Sequence, residues 1–421
     1  MIYPHFERRN GELFMEQASL RLIAERFGTP CYVYSRAALN DAWHSYDLAF
    51  GARRHRIHYA VKANANLAVL DTLARLGSGF DIVSAGELAR VLAVGGVPER
   101  IVFSGVGKTA AEMRAAMAAG IGVFNVESPA ELARLNDIAG SLNQVARVAI
   151  RVNPDVDAQT HPYISTGLTD NKFGVPMPEA LALYRRAAGL SHLQVAGIAC
   201  HIGSQITALA PFIDALARVM ALVAQLAQEG IEIAHVDAGG GLGIRYQDET
   251  PPPVADYVAA LCRAIPERYE ICIEPGRSIC GPAGVLLTRV EYLKDTPTRR
   301  FAICDAAMTE LIRPALYKAW HAVEVVQTPP ASVTAHVYDL VGPVCESADF
   351  LATGRHLQLE THALLSIMSA GAYGHVMASN YNARPRPPEL VVDGEKVHLA
   401  RPRETLAALF AEEQLLPADA R

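Results

Sequence analysis

The sequence has no cluster of basic residues and no closely spaced pair of cysteines. Its 421 residues include 38 Lys and Arg against 44 Asp and Glu, which gives a net charge of −6. Nucleic acid is not an expected partner, because its phosphates require a basic protein surface. The seven cysteines show neither a CxxC pair nor zinc-like spacing, which favours a reducing compartment without disulfides or a metal site; they stand at positions 31, 200, 262, 272, 280, 304 and 345.

We expect neither a secretion signal nor a membrane-spanning segment. The first residues, MIYPHFERRNGELF, are charged from position 5 onward and contain no apolar signal core. The longest apolar stretch, residues 212–226, is interrupted by Asp214, Arg218 and Gln225, whereas a spanning helix needs about 20 predominantly apolar residues. These features predict a soluble cytoplasmic protein with no membrane partner.

From residue 56 onward, short apolar runs alternate regularly with helix-like segments. This alternation is typical of parallel strands with helices outside the sheet. The eight runs are RIHYAVK, GFDIVS, RIVFSG, GVFNVE, VARVAIRVN, VAGIACHIG, AHVDAGG and EICIEPG. Eight such units close naturally into a TIM-like (β/α)8 barrel, which usually has about 250 residues. An open doubly wound sheet is the alternative.

The segments between the runs have the periodicity of helices. TAAEMRAAMAAG and SPAELARLNDIAG are examples, and several of these segments end at glycine, where a left-handed C-cap costs little. In the segment before the seventh run, apolar residues recur at intervals of three and four, so we expect them to share one buried helical face; they are Phe212, Leu216, Val219, Val223 and Leu226.

After about residue 281 the strand-like segments follow one another without helices. GVLLTRVEYLK, RRFAICDA, SVTAHVYDLVG and HLQLETHALLS have strand character, and ELVVDGEKVHLA predicts a hairpin around Asp393 and Gly394. An isolated strand-like segment, TPCYVYS, precedes the barrel. The sequence therefore predicts an α/β protein with a barrel over residues 35–280. Residues 281–421, joined by 1–34, are expected to form an antiparallel β-barrel or sandwich.

Polar residues recur where the predicted barrel strands end, which is where the active sites of such barrels lie. Lys62 stands at the end of the first run. An ammonium beside an apolar strand is costly unless it is paired or takes part in chemistry. Burial lowers the pKa of a lysine, and a neutral amine can form a Schiff base with an aldehyde. A lysine whose stem packs while its head reaches water is the alternative.

Glycines and a carboxylate at later strand ends indicate a phosphorylated cofactor. HVDAGGGLGIRY has four glycines within 239–243, so backbone N–H groups can approach a phosphate closely. Without a nucleotide fingerprint, and with a candidate Schiff-base lysine, this pattern predicts pyridoxal 5′-phosphate (PLP). Glu274 can keep the pyridine nitrogen protonated, unless it pairs with Arg277. His201 can stack on the ring, and Ser204 can hold a phosphate oxygen.

YAVKAN, HIGSQ, GGGLGI and EPGR occur in an order that resembles the fold-type III, alanine-racemase-like family of PLP-dependent decarboxylases. LIRPALY, VGPVCESADF and GAYGHVMASNYNARPRPPELVV resemble the branch that converts meso-2,6-diaminopimelate to L-lysine and CO2, the last step of bacterial lysine synthesis. The resemblance covers nearly the whole chain and implies this decarboxylation. The alternatives are decarboxylation of D-ornithine, D-lysine, arginine or carboxynorspermidine, a racemase, and a PLP-binding protein without catalysis.

The resemblance implies a role for each matching residue. Lys62 is expected to carry PLP covalently, and Cys345 to donate the proton that replaces CO2. The other expected cofactor contacts are His201, Ser204, Gly240, Gly241, Glu274, Gly276, Arg277 and Tyr373. The expected substrate contacts are Arg277, Arg313, Tyr317, Glu346 and Tyr373.

The chemistry of the substrate contacts agrees with these roles. Two arginines and a phenol suit a second carboxylate, and Glu346 suits a distal ammonium. A diamine precursor such as ornithine leaves the arginines unpaired, and salt bridges between domains are the alternative explanation.

One segment departs from the family's pattern, because Ala307 and Thr309 stand where glycine and asparagine are expected. The family also implies a homodimer in which the loop with Cys345 enters the partner's site.

Overall fold

The computed structural model describes residues 5–157 and 171–417. The chain divides into two compact units. One consists of Met1–Ala37 and Pro282–Arg421, and the other of Ala38–Gly281. Six elements precede the barrel strands: β1 (Phe6–Arg9), β2 (Glu12–Met15), β3 (Ala18–Ser19), α1 (Leu20–Phe27), β4 (Cys31–Ser35) and α2 (Arg36–Phe50). The first three strands pair in sequence order as a small antiparallel sheet.

The unit Ala38–Gly281 is a closed barrel of eight parallel strands, which confirms the predicted fold class. All eight apolar runs form strands: β5 (His55–Ala60), β6 (Gly79–Ile82), β7 (Ile101–Phe103), β8 (Val123–Val126), β9 (Ala146–Asn153), β11 (Leu193–Cys200), β12 (His235–Asp237) and β13 (Glu270–Ile273). Each pairs with the next, and β13 pairs with β5 to close the ring. A short strand, β10 (Val175–Pro176), pairs with β9 outside it. The sequence is apolar in continuous runs because these strands are buried on both faces.

Helices follow the barrel strands along the chain: α3 (Leu67–Arg75), α4 (Ala85–Ala93), α5 (Ala110–Ala119), α6 (Pro129–Ser141), α7 (Met177–Ala188), α8 (Ala210–Gln228), α9 (Val254–Ala264) and α10 (Arg277–Cys280). A capping box of Thr109 and Glu112 starts α5, and Gly120 ends it with a φ of 72°. In contrast, α6 continues past Gly140. That glycine serves packing, because a Cβ there would lie 2.9 Å from the ring of His192.

The apolar face of α8 is buried as predicted: Phe212, Leu216, Val219, Val223 and Leu226 are all inaccessible or nearly so. The helix contacts β11, α7 and α9. Among the described residues, α8 is the one helix long and apolar enough to cross a membrane. Core helices of soluble proteins pass the same test, and the apolar face of α8 is buried.

The other unit is built on a nine-stranded sheet. Its later elements are β14 (Gly284–Asp295), β15 (Arg300–Cys304), α11 (Arg313–Tyr317), β16 (Val323–Val325), β17 (His336–Val341), β18 (Phe350–Leu357), β19 (Leu364–Ile367), β20 (Glu389–Asp393) and β21 (Lys396–Arg401). The strand order is β18-β17-β15-β14-β4-β20-β21, with β19 joining β14 to β16. Most pairings are antiparallel, whereas β15 with β17 and β4 with β20 are parallel.

Two local patterns in this sheet had different outcomes. The hairpin around Asp393 and Gly394 is confirmed, since β20 and β21 pair there and Gly394 has a φ of 64°. The run HLQLETHALLS is not one strand. It contains the end of β18, a turn in which His362 has a φ of 69°, and the start of β19.

Candidate active site

Lys62 lies just beyond β5, in a 3₁₀ turn formed by Val61–Ala63. Its ammonium forms an ion pair with the carboxylate of Asp81 on β6, a side chain with no exposed surface. The strand register explains this contact, because Ala60 lies opposite Asp81 in the parallel pairing. The Lys62 side chain is 36% exposed. Lys62 is therefore neither fully buried nor free in water, and its amine is held at the carboxyl end of the barrel strands.

Two more buried acids lie at neighbouring strand ends. Asp237 ends β12 and Glu274 directly follows β13. Burial, followed by repulsion from Asp237 and Asp81, raises the pKa of Glu274 well above its ordinary value. Burial also raises the pKa of Asp237 to about 6, although hydrogen bonds from Gly239 and Glu274 act in the other direction. A cation beside Glu274 would relieve this repulsion, as a protonated pyridine nitrogen would.

The Glu274 carboxylate has a second polar neighbour. Asn125 on β8 donates from Nδ2 to Glu274 Oε1 at 3.3 Å and to Ser104 Oγ at 3.1 Å. Both Asn125 Oδ1 and Asp81 Oδ1 are buried and have no hydrogen-bond partner among the described residues. Buried polar oxygens without a partner are costly, so these two atoms mark positions where a bound donor would be stabilised.

The glycine loop after β12 approaches the neighbouring backbone too closely for side chains. Gly239 and Gly241 have φ values of 68° and 112°, and a Cβ on Gly240 would lie 2.2 Å from the carbonyl oxygen of Glu274. The N–H of Gly240 donates to Nδ1 of His201 at 3.2 Å. Burial, and then the charge of Arg151, lower the pKa of His201 well below its ordinary value. The His201 ring is therefore neutral, and a phosphate contact from Gly240 would compete with this bond.

Arg277 connects the loops that follow three barrel strands. The guanidinium is buried and donates from Nη1 to the Tyr246 hydroxyl at 2.7 Å and from Nη2 to Ser204 Oγ at 2.9 Å. The preceding residue, Gly276, packs against the turn that carries Lys62, since a Cβ there would lie 2.9 Å from the Cβ of Ala63. The barrel thus brings Lys62, His201, Ser204, Gly240, Gly241, Glu274, Gly276 and Arg277 to its strand ends.

In the other unit, Arg313 and Tyr317 lie at the two ends of α11. Arg313 is buried, and its Nη1 lies 2.8 Å from Nε2 of His321. Cys345 and Glu346 are exposed on the segment between β17 and β18. The backbone N–H of Cys345 donates to Oδ1 of Asn382 at 2.9 Å.

Tyr373, Ala307 and Thr309 belong to the same unit. Tyr373 has a left-handed backbone, with a φ of 54°. The departures from the family's pattern are buried: Ala307 fills the space beside Gly342, where a Cβ would lie 2.5 Å from it, and the hydroxyl of Thr309 donates to Glu310 Oε2 at 2.9 Å. Both residues are therefore integrated into the packing of this unit.

Comparison with known proteins agrees with this geometry. Residues 36–281 match the family model described as "Pyridoxal-dependent decarboxylase, pyridoxal binding domain". A diaminopimelate decarboxylase of Pseudomonas aeruginosa is 57% identical, over 98% of this chain and 99% of that protein. The chain belongs to the diaminopimelate decarboxylase family of pyridoxal-dependent enzymes.

Two solved structures of this family extend the similarity to three dimensions. The Helicobacter pylori diaminopimelate decarboxylase, complexed with L-lysine, is 42% identical with a TM-score of 0.90, over 93% of this chain and 98% of that one. The M. jannaschii enzyme, in co-complex with L-lysine, is 38% identical with a TM-score of 0.94, over 99% of both chains.

The residues at the barrel's strand ends fit PLP. The buried Asp237 and Glu274 pair suits a protonated pyridine nitrogen, and the hydroxyl and guanidinium of Ser204 and Arg277 suit a phosphate. The glycine loop, which excludes side chains, allows a ligand to approach the backbone. Lys62 supplies the amine that an aldehyde cofactor requires.

Several residues of this arrangement were not among the sequence-based candidates. Asp237 and Tyr246 both lie within HVDAGGGLGIRY, where the four glycines are the stronger sequence signal. Asp81, by contrast, was recognised from the sequence as a polar residue of the second apolar run but was not assigned a role. Asn125 and His321 gave no comparable signal, because an amide and an imidazole are common in strands and loops.

Proposed function

We propose that this protein uses PLP to convert meso-2,6-diaminopimelate to L-lysine and CO2. One observation carries the proposal: Arg313, Tyr317 and Glu346, which complement a zwitterionic substrate end, occur in a chain 57% identical to a diaminopimelate decarboxylase over nearly its full length. The barrel residues fit the cofactor of that reaction. L-lysine, the product, is bound in the two solved relatives.

The barrel residues are proposed to hold and activate the cofactor. Lys62 Nζ provides the covalent attachment, and Asp81 keeps that amine at the strand ends. When bound, PLP supplies an electron sink for the carbon–carboxylate bond that breaks. Glu274 binds the pyridine nitrogen and His201 offers a neutral ring for stacking. The phosphate is proposed to contact Ser204, Gly240, Gly241, Gly276 and Arg277, and Tyr373 is proposed to touch both cofactor and substrate.

Substrate selection is proposed to depend on the carboxylate that is not lost. Guanidinium groups bind carboxylates in a planar, two-point geometry, so Arg277, Arg313 and the hydroxyl of Tyr317 are suited to that group. Glu346 carries the opposite charge and is suited to the distal ammonium. A substrate without the second carboxylate would leave these cations without their counter-charge, which is costly in a buried site.

Cys345 is proposed to deliver the proton that replaces CO2. A thiol gives up a proton readily near neutral pH and therefore suits a general acid. Cys345 is exposed, and its loop is tethered through Asn382. We further propose that the protein is a soluble, cytoplasmic homodimer in which this loop completes the partner's site.

The test is a comparison of substrates with the PLP-loaded protein. CO2 release is measured from meso-diaminopimelate, its LL isomer, D-ornithine, D-lysine, arginine and carboxynorspermidine, and the configuration of the product is determined. We expect the meso compound to have the highest kcat/KM and to give L-lysine. Equal rates on the LL isomer would contradict attack at the D centre. Faster turnover of another amino acid would identify a related decarboxylase, and binding without turnover a carrier protein.

A further inference from the structure

Arg313 is oriented by a buried histidine that the sequence analysis did not single out. Arg313 Nη1 and His321 Nε2 are 2.8 Å apart, and on the other side of the ring His321 Nδ1 lies 2.8 Å from the carbonyl oxygen of Met368. The His321 ring has no exposed surface, and Arg313 is 5% exposed. His321 therefore links the backbone that follows β19 to the guanidinium of Arg313.

The partners of His321 assign its protonation state. A guanidinium is only a donor, so Nε2 must accept and carries no proton. A backbone carbonyl is only an acceptor, so Nδ1 must carry the hydrogen. The ring is therefore the neutral Nδ1–H tautomer. A doubly protonated ring would lose its acceptor and place a second positive charge beside Arg313.

The backbone around His321 is fixed by the sheet. Met368 directly follows β19, and its N–H donates to the carbonyl of Ala322 at 2.9 Å. Arg355 on β18 donates from Nη2 to the carbonyl of His321 at 2.9 Å, and its guanidinium stacks 4.1 Å above the ring of Trp320. The imidazole is thus held by the sheet while α11 carries the arginine.

We propose that His321 is a positioning residue for substrate selection. Its Nε2 fixes the plane of the Arg313 guanidinium, so that the arginine meets the substrate's retained carboxylate in the two-point geometry that such pairs require. The inference rests on the proposed function, because that carboxylate is the group that Arg313 is proposed to bind. In this proposal His321 acts through its contact with Arg313.

The experiment compares two ligands that differ only in that carboxylate, L-lysine and cadaverine. Their binding to the PLP-loaded protein is measured by titration calorimetry for the wild type, His321→Asn and His321→Gln. The asparagine amide can still donate toward Met368 but is too short to reach Arg313, whereas the glutamine oxygen can occupy the place of Nε2. Thermal unfolding of each variant checks the fold.

We expect His321→Asn to weaken L-lysine binding by about 10- to 100-fold, the usual effect of losing a hydrogen bond to a charged group. Cadaverine binding should change by less than about threefold, since this ligand lacks the carboxylate. His321→Gln should recover most of the loss. In turnover, the KM for meso-diaminopimelate should rise in His321→Asn more than kcat falls.

Equal weakening of both ligands in His321→Asn would overturn the proposal, because it would mean that His321 only supports packing. If the variants do not fold, nitrogen-15 NMR of histidine in the wild-type holoenzyme decides. The proposal then requires an Nδ1–H tautomer whose Nε2 signal shifts with L-lysine but not with cadaverine. Failure of the wild type to decarboxylate meso-diaminopimelate would instead refute the proposed function, which separates the two outcomes.

Discussion

Lys62 and Asp81 are joined by an ion pair across neighbouring strands of the barrel. Asp81 is fully buried, and its carboxylate is paired with this lysine. The pair holds a primary amine at the strand ends, where the proposed cofactor would be attached. A second lysine of the barrel, Lys108, is buried and binds Glu131 at 2.7 Å and the carbonyls of Gly105 and Asn125.

This difference predicts where the cofactor is attached. Reduction of the PLP-loaded protein with borohydride, followed by peptide mapping, should place the pyridoxyl group on Lys62 and not on Lys108. Lys62→Arg keeps the positive partner of Asp81 but cannot form the covalent bond, so activity should fall by roughly 10³-fold or more with the fold intact. Lys108→Arg is the matched control and should keep the label on Lys62. A label on another lysine would contradict the assignment.

The close approach at Gly240 predicts that even one methyl group is harmful there. In Gly240→Ala the new Cβ would meet the carbonyl of Glu274 at 2.2 Å, so the loop must move away from Glu274, the residue proposed to bind the pyridine nitrogen. We expect a loss of about 1–3 kcal/mol in the free energy of unfolding, as for other overpacked sites, together with weaker PLP binding. Urea unfolding and PLP titration measure the two effects.

A matched control for Gly240→Ala lies in an exposed loop of the same barrel. Gly107 has no atom within 4 Å of an added Cβ. Gly107→Ala should therefore change the free energy of unfolding by no more than about 0.5 kcal/mol and leave PLP binding unchanged. Equal effects of the two substitutions would show that the glycine loop tolerates side chains and does not shape the cofactor site.

The barrel strands and the candidate site residues at their ends could be predicted, because both leave a signal in the local sequence. Parallel strands buried on both faces leave continuous apolar runs, and a lysine or glutamate at the end of such a run is conspicuous, as Lys62 and Glu274 are. The contact between Asp237 and Glu274 is different. It depends on the register in which β12 and β13 pair, and no local pattern shows that register.

The same limit explains what was missed in the other unit. His321 meets Met368 because β16 and β19 pair, with Val323 opposite Ile367. Neither residue shows this in its local sequence. The run HLQLETHALLS was also misleading, because its turn is made by His362 in a left-handed conformation rather than by glycine or proline, the usual turn signals.

The buried acid pair predicts a dependence of stability on pH in the PLP-free protein. The pKa of Asp237 is raised to about 6 from an ordinary value of 3.8, so the folded chain binds this proton more tightly than the unfolded chain. Stability from this group is then fully present below about pH 4 and is lost as the pH rises to about 6. The folded protein should therefore be less stable at neutral pH than at about pH 4.

Asp237→Asn tests this dependence. The amide oxygen can still accept from the N–H of Gly239, as the carboxylate does at 2.8 Å, but the side chain no longer ionises. Urea unfolding at several pH values between 4 and 7.5 should show a flatter curve for the variant, with higher stability than the wild type at neutral pH. Parallel curves for the two proteins would show that ionisation of Asp237 is not penalised in the folded state.

The proposed homodimer, in which Cys345 completes the partner's site, predicts complementation between inactive chains. If each site of a homodimer takes Lys62 from one chain and Cys345 from the other, Lys62→Ala and Cys345→Ala homodimers are both inactive. In a mixed dimer, one site receives both mutated residues and the other receives neither. After subunit exchange of equal amounts, half of the dimers are mixed and each has one intact site, so about one quarter of wild-type activity should return.

Exchange is verified with two differently tagged chains. Fully exchanged mixtures without activity would show that Cys345 does not serve the partner's site, because a site built within one chain would then have lost either its lysine or its thiol in every dimer.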